Sequence, residues 1–322
     1  MSNEEMVVLK AKDFCFIIVP DTQNMSTSHP EELHIMTQWI ADQANEMNLK
    51  FVFHVGDLVN DGSQQEIQWE NHRNAFDRIE AENIPTVYAI GNHDFDNILK
   101  ENRDSSAFNR YCGVDRIKDK PWFGGCFEEG KAENLYTRME IEGIPFLFLI
   151  LEYGPRDKVV EWANQVLEQH AGHQAIVITH SYMYISGERT KPGDNHNPKG
   201  HIGADGANDG EDLWQKCLKH HKNVKAVYSG HHVKGNVSYR FDLGEHGNLV
   251  FQSFQNWQMS PNGGDARVRI LRYRLQENRV DLQVFNPQTG LYETAEGYET
   301  SHPIFPGENE YEQWLAMRFP AM

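Results

Sequence analysis

The stretch Phe14-Cys15-Phe16-Ile17-Ile18-Val19-Pro20-Asp21-Thr22-Gln23 decides the fold. An unbroken apolar run this short, rich in aromatic and β-branched residues and closed by a polar turn, reads as a strand buried on both faces. The arrangement then repeats. Phe51–Val55 leads into Gly56-Asp57-Leu58-Val59-Asn60-Asp61-Gly62, and Thr86–Ile90 into Gly91-Asn92-His93-Asp94. Ala175–Thr179 leads into His180, and Val224–Ser229 into Gly230-His231-His232. Five strands thus deliver metal-capable side chains at their carboxyl ends, where open α/β sheets place their ligand sites.

Helical spacing fills the gaps between these strands. From Pro30, apolar residues recur at Leu33, Met36, Ile40, Ala44 and Met47, with Glu31 and Glu32 in the first turn. Glu66–Ala81 carries Ile67, Trp69, Phe76 and Ile79, and further helices are expected over Asp157–Gln169 and Glu211–His220, with a strand at Ile144–Leu151. Beyond His232 the pattern changes to strand-like runs at Val237–Phe241, Leu249–Phe254, Ala266–Leu275 and Val280–Phe285, with turn residues between them and no convincing helix. The reading is an α/β (α+β) chain forming one domain over residues 1–322. Its core spans about 12–232, and antiparallel strands over about 233–290 extend it. Two polar loops, Asn92–Lys131 and Ser181–Gly210, are long enough to expect function of them.

Composition narrows the partners. Asp and Glu number 47 against 30 Lys and Arg, a formal net charge of −17, so nucleic acid and anionic membranes are not expected partners. The opening MSNEEMVVLKAKDF has no basic segment leading into an apolar run, and no apolar stretch is long enough to span a bilayer, so a cytoplasmic location is expected. Cys15, Cys112, Cys126 and Cys217 show no CxxC spacing and read as free thiols.

Taken in order, these segments resemble the calcineurin-like metallophosphoesterase superfamily, whose pattern is D-x-H, G-D-x-x-D, G-N-H-[DE], a lone His, then G-H-x-H. The resemblance runs from Asp21 to His231, and Asp21-Thr22-Gln23 is similar to a bacterial subgroup with glutamine in place of the first histidine. It implies a four-layer α/β/β/α sandwich of two mixed sheets and two divalent metal ions, Mn, Fe or Zn. Carried over residue by residue, Asp21 and Gln23 would bind the first metal and Asp57 would bridge both. Asn92, His180 and His231 would complete the second. Oxygen and imidazole donors without cysteine suit those metals. His93 would be the general acid, with Asp94 orienting it or its turn.

Three positions depart from the superfamily pattern. Gln23 replaces a histidine, and Asn60 stands where the second aspartate is expected, near His93 but without a charge. Val233 occupies a first-metal histidine position. Either His232 swings in, or the first metal keeps a thinner protein shell; the second is expected, because the side chain after His231 should point away from it. Arg156 and Arg189 are the candidate phosphate-binding residues, since guanidinium matches phosphate as a planar fork. Tyr153, Tyr182 and Trp257 are candidates for an apolar wall. Gly193-Asp194-Asn195-His196 looks like a scrambled G-N-H-D but follows no strand, and the segment from Asp205 to Gly210 lacks the ligands of a calcium loop.

The expectation is hydrolysis of a small phosphodiester or phosphomonoester by a hydroxide held between two metals. The alternatives are a catalytically silent binder of phosphorylated ligands on the same fold, or a Ser/Thr protein phosphatase.

Overall fold

Alternation along Ile144–Leu151 splits this strand between two cores. Phe146, Phe148 and Ile150 join one apolar cluster, while Leu147, Leu149 and Leu151 join another. Successive side chains of a strand point to opposite faces, so such a strand belongs to a sheet covered on both sides.

The computed structural model describes residues 11–63, 65–97, 102–202 and 206–307. Residues 1–10 of the opening segment and Asp205 lie outside the described residues. The chain runs through β1 (Phe14–Val19), α1 (Gln23–Ser28), α2 (Pro30–Gln43), β2 (Leu49–His54), α3 (Glu66–Ala81), β3 (Thr86–Tyr88) and α4 (Ser106–Cys112). Next come β4 (Phe123–Cys126), β5 (Leu135–Ile141), β6 (Ile144–Leu151), α5 (Asp157–Gln169), β7 (Gln174–Thr179), α6 (Pro198–Ile202) and α7 (Gly210–Lys216). Then follow β8 (Val224–Ser229), β9 (Val237–Leu243), β10 (Leu249–Gln255), β11 (Val268–Arg274), β12 (Arg279–Asn286), β13 (Leu291–Glu293) and β14 (Thr300–Pro303).

The strands form two seven-stranded mixed sheets. One has the order β13-β12-β11-β1-β2-β3, with β14 paired to β12; the other has the order β4-β5-β6-β7-β8-β10-β9. Aromatic rings fill the space between them. Phe148 of the second sheet lies 5.3 Å from Phe16 and 4.8 Å from both Phe51 and Phe53 of the first, and Phe146 lies 5.5 Å from Phe16. Such offset and edge contacts add stabilisation beyond the area they bury. Apolar residues of α2 and α3 join the cluster of the first sheet, and those of α5 and α7 join the Leu147–Leu149–Leu151 cluster. This gives the four layers expected. No helix among the described residues is long and apolar enough to cross a membrane, and the four cysteines are free.

The structure changes several local readings. The Asn92–Lys131 loop contains α4 and β4. The helix expected over Glu211–His220 stops at Lys216 and gives way to a 3-10 turn at Leu218–His220; its start is a capping box between Asp209 and Asp212. In the last third, β11 and β12 extend the first sheet antiparallel, but β10 runs parallel to β8, which a purely antiparallel extension does not anticipate.

Behind the first sheet, His72 of α3 is fully buried, stacks on Phe76 at 4.3 Å, and leaves both ring nitrogens without a partner. Burial holds its pKa well below the ordinary value. The unfolded chain takes up this proton near pH 6.5 while the folded chain does not, so stability falls as pH drops below that value. His72→Phe is expected to raise unfolding stability by about 1 kcal/mol or more, because it removes buried orphan groups. It should also flatten the acid-side slope, by at most about 1.4 kcal/mol per pH unit. Urea denaturation at pH 5 and pH 7.5 checks both.

Candidate metal centre

The parallel strands end on one edge of the two sheets, and glycines let their loops converge there. A Cβ on Gly91 would lie 2.2 Å from the backbone nitrogen and from Oδ1 of Asp57, and one on Gly230 would lie 2.0 Å from Asp21 Oδ1. At Gly56, with φ of +106°, it would lie 2.6 Å from His180 Nδ1. Asp57 and His231 themselves hold positive φ angles of 53° and 77°, a sparsely populated backbone that tends to cluster at functional sites.

Backbone carbonyls set the two imidazoles. His180 Nδ1–H donates to the Val55 carbonyl at 2.9 Å, and His231 Nε2–H donates to the His196 carbonyl at 3.1 Å. Carbonyls only accept, so His180 presents Nε2 and His231 presents Nδ1 to the interior. Three acceptors surround His180 Nε2: Asp57 Oδ1 at 3.1 Å, Asn92 Oδ1 at 3.2 Å and His231 Nδ1 at 3.2 Å. Burial works against charge here, but the ion pair outweighs it. His180 is raised to about 9 and Asp57 is held down to about 2, while burial keeps His231 well below the ordinary histidine value. A protonated His180 thus points Nε2 at atoms that would equally suit a cation, and cation binding would displace that proton. The ligand atoms of Asp57, His180 and His231 lie within 4.8 Å of one another.

Asp21 adjoins this focus through His231. Both carboxylate oxygens of Asp21 accept from the His231 backbone N–H, at 3.2 and 3.0 Å. Oδ2 also accepts from the Asn256 side chain at 3.0 Å, and nothing in the sequence reading pointed to that residue. Gln23 Oε1 is buried with no hydrogen-bond partner. An orphaned buried acceptor two residues from Asp21, together with the oxygen and imidazole donors above, fits the divalent ions the sequence implies.

His93 is half-buried. Its backbone N–H donates to Asp57 Oδ1 at 3.0 Å, and its Nδ1–H donates to the Asn60 carbonyl at 2.7 Å. Asn60 therefore serves His93 through its main chain. Asp94 accepts from the backbone N–H groups of Leu58, Val59 and Gly91 at 2.8, 3.1 and 2.7 Å, tying the Asp57 loop to the Asn92 loop.

Arg156 pairs with Glu152 at 2.9 Å and with Glu128 at 3.3 Å. Arg189 pairs with Glu211 and Asp242, both at 2.7 Å, over the ring of Trp214. Tyr182 donates to Gln252 and Trp257 to Tyr298. Tyr153 packs its ring 5.1 Å from His231 and 5.7 Å from His180, with its hydroxyl 2.8 Å from His201 Nδ1. Arg103 holds that turn through the Tyr153 and Gly154 carbonyls. His232 meets Ser181 and stacks on Tyr184 at 4.0 Å, and Val233 is 41% exposed.

Gly91→Ala, at a position where φ is unrestricted by sign but space is not, is expected to lower metal affinity at least tenfold while leaving far-UV circular dichroism unchanged. The same substitution at exposed Gly172, where a Cβ meets nothing within 4 Å, should leave metal affinity unaltered. Isothermal titration with Zn²⁺ measures both.

Comparison with known proteins bears on the family and the fold. The family described as calcineurin-like phosphoesterase matches residues 16–235. Protein YvnB of Bacillus subtilis (strain 168) is 29% identical over 283 residues, which is 86% of this chain but 20% of that protein, so the chain spans about a fifth of the relative's length. Among solved structures, purple acid phosphatase from yellow lupin (Lupinus luteus) shares 14% identity with a TM-score of 0.56, over 91% of this chain and 54% of the other. A dimetal phosphatase from Danio rerio shares 12% with a TM-score of 0.50, over 85% and 96%. The two structures agree in fold, the family match covers every strand-end motif from Asp21 to His231, and the chain belongs to the calcineurin-like phosphoesterases.

Proposed function

We propose that this phosphoesterase hydrolyses a small phosphodiester with two divalent ions, Mn, Fe or Zn, held by Asp21, Gln23, Asp57, Asn92, His180 and His231. We also place it in a bacterial subgroup with glutamine at the third position of the first motif. One observation carries the reading: Asp57 Oδ1, Asn92 Oδ1 and His231 Nδ1 all converge within 3.2 Å of His180 Nε2. When bound, such a pair supplies Lewis acidity at phosphorus and makes water nucleophilic at neutral pH.

The chain's own residues do the rest. Asp57 stands between the two ligand groups, and its bond from the His93 N–H fixes where the His93 loop sits. With Nδ1 committed to the Asn60 carbonyl, Nε2 of His93 is the atom that gives a proton to the leaving oxygen. Two dications against two carboxylates and one hydroxide leave about one positive charge, which a diester monoanion cancels. Arg156 and Arg189 stay outside this substrate reading, because each guanidinium already pairs with two carboxylates.

Chelation should abolish hydrolysis, and adding back Mn or Fe should restore it; Asp57→Asn should be the most damaging ligand change. Full turnover by the chelated protein would overturn the reading. His93→Ala should cost about 10²–10⁴-fold on an alkyl ester, whose leaving oxygen needs the proton, and far less on a nitrophenyl ester. Rates on both esters at equal metal content separate acid catalysis from a structural role, which would slow the two alike.

A further inference from the structure

The rule that placed the proposed ligands at strand ends has one more instance. β10 pairs with β8 in parallel, with Phe254 opposite Ser229. It therefore ends on the same edge as β8, and two residues further on Asn256 comes level with His231. Asn256 is 2% exposed, and its backbone N–H donates to the Asn236 carbonyl. Its side-chain nitrogen lies 3.0 Å from Asp21 Oδ2, 3.2 Å from Gln258 Oε1 and 3.4 Å from the His232 carbonyl, while Oδ1 accepts from the Gln258 N–H at 2.9 Å. The surroundings are fixed. Gln255 donates to the Ser229 carbonyl, binding the end of β10 to β8, and Asn24, next to Gln23, donates to the Gln258 carbonyl.

Val233 cannot ligate; the His232 ring meets Ser181 through Nε2 and packs against Tyr184 with Nδ1 buried and unpartnered, whereas Asn256 lies 3.0 Å from Asp21 itself. We propose that Asn256 takes the place of the missing histidine and binds the first cation through its amide oxygen, an inference that rests on the two-cation reading above. A half-turn of the side chain exchanges the nitrogen now beside Asp21 for the oxygen; it breaks the bond from the Gln258 N–H to Oδ1, a loss that binding of the cation has to offset. The first position then has oxygen donors alone, from Asp21, Gln23, Asp57 and Asn256. The second has two imidazole nitrogens from His180 and His231. Hard cations take oxygen shells and borderline ions take imidazole, so the positions differ in preference: Mn²⁺ at the first, Zn²⁺ or Fe²⁺ at the second.

The test titrates metal-free protein with Mn²⁺ and with Zn²⁺, by calorimetry and by metal analysis after dialysis, for the native chain, Asn256→Ala and Asn256→Asp. Circular dichroism and the Zn²⁺ phase at the second position report folding. The native chain should hold two ions. Asn256→Ala should weaken the Mn²⁺ phase about tenfold or more with the Zn²⁺ phase unchanged, and Asn256→Asp should tighten the Mn²⁺ phase. If Asn256 only steadies Asp21 by donating to it, aspartate at 256 would repel that carboxylate and weaken Mn²⁺, which overturns the proposal. So does an Asn256→Ala protein that keeps both phases at native affinity. A native chain that takes up a single ion of either metal removes the two-cation reading, and Asn256 as a ligand falls with it.

Discussion

Asp57 places a carboxylate at a fully buried point between two sheets, and the structure around the site is arranged to make that tolerable. An isolated charge there is costly unless it is paired and hydrogen-bonded. His180 approaches to 3.1 Å, and the His93 N–H donates from a different loop. Bringing both to one oxygen requires loops closer than side chains allow, which is why glycine stands at 56 and 91. It also requires a positive φ at Asp57 itself. Asp94 then spends its carboxylate on three backbone N–H groups, locking the two loops that meet there.

The two sheets make this possible because their strands are buried on both faces. In β6 the phenylalanines face the other sheet and the leucines face the helices, so the strand position is fixed from either side. Loops rooted in such strands inherit their precision, and side chains one or two residues beyond a strand end meet within hydrogen-bonding distance although they lie up to 235 residues apart.

That is also why so much was readable from sequence. A metal-capable side chain directly after an apolar run announces both the strand and its end, and Asp21, Asp57, Asn92, His180 and His231 all do so. Glu66–Ala81, Ile144–Leu151 and Asp157–Gln169 came through with their bounds because length and periodicity agree in them. What stayed hidden depends on partners distant in the chain. Arg189 looks available until Asp242, on β9, is folded against it. The polar face of β5 masked its alternation of buried Leu135, Thr137 and Ile141. Asn256 follows a strand rich in glutamine and serine, and its direction relative to β8 is a fact of topology that no local pattern carries.

The hydrogen bond from His231 to the His196 carbonyl leaves a different legacy. Every other constraint on the ligands is rooted in a strand or in the turn directly after one, but this one comes from the long connection between β7 and α7. A peptide oxygen has no identity in the genetic code, so residues other than histidine that tolerate the positive φ of 56° at position 196 can provide it. Insertions or deletions in that connection, however, move the oxygen. Descendants of this chain can therefore retune the basicity of a metal ligand while every motif residue stays the same, and an alignment of motifs would record no change at all.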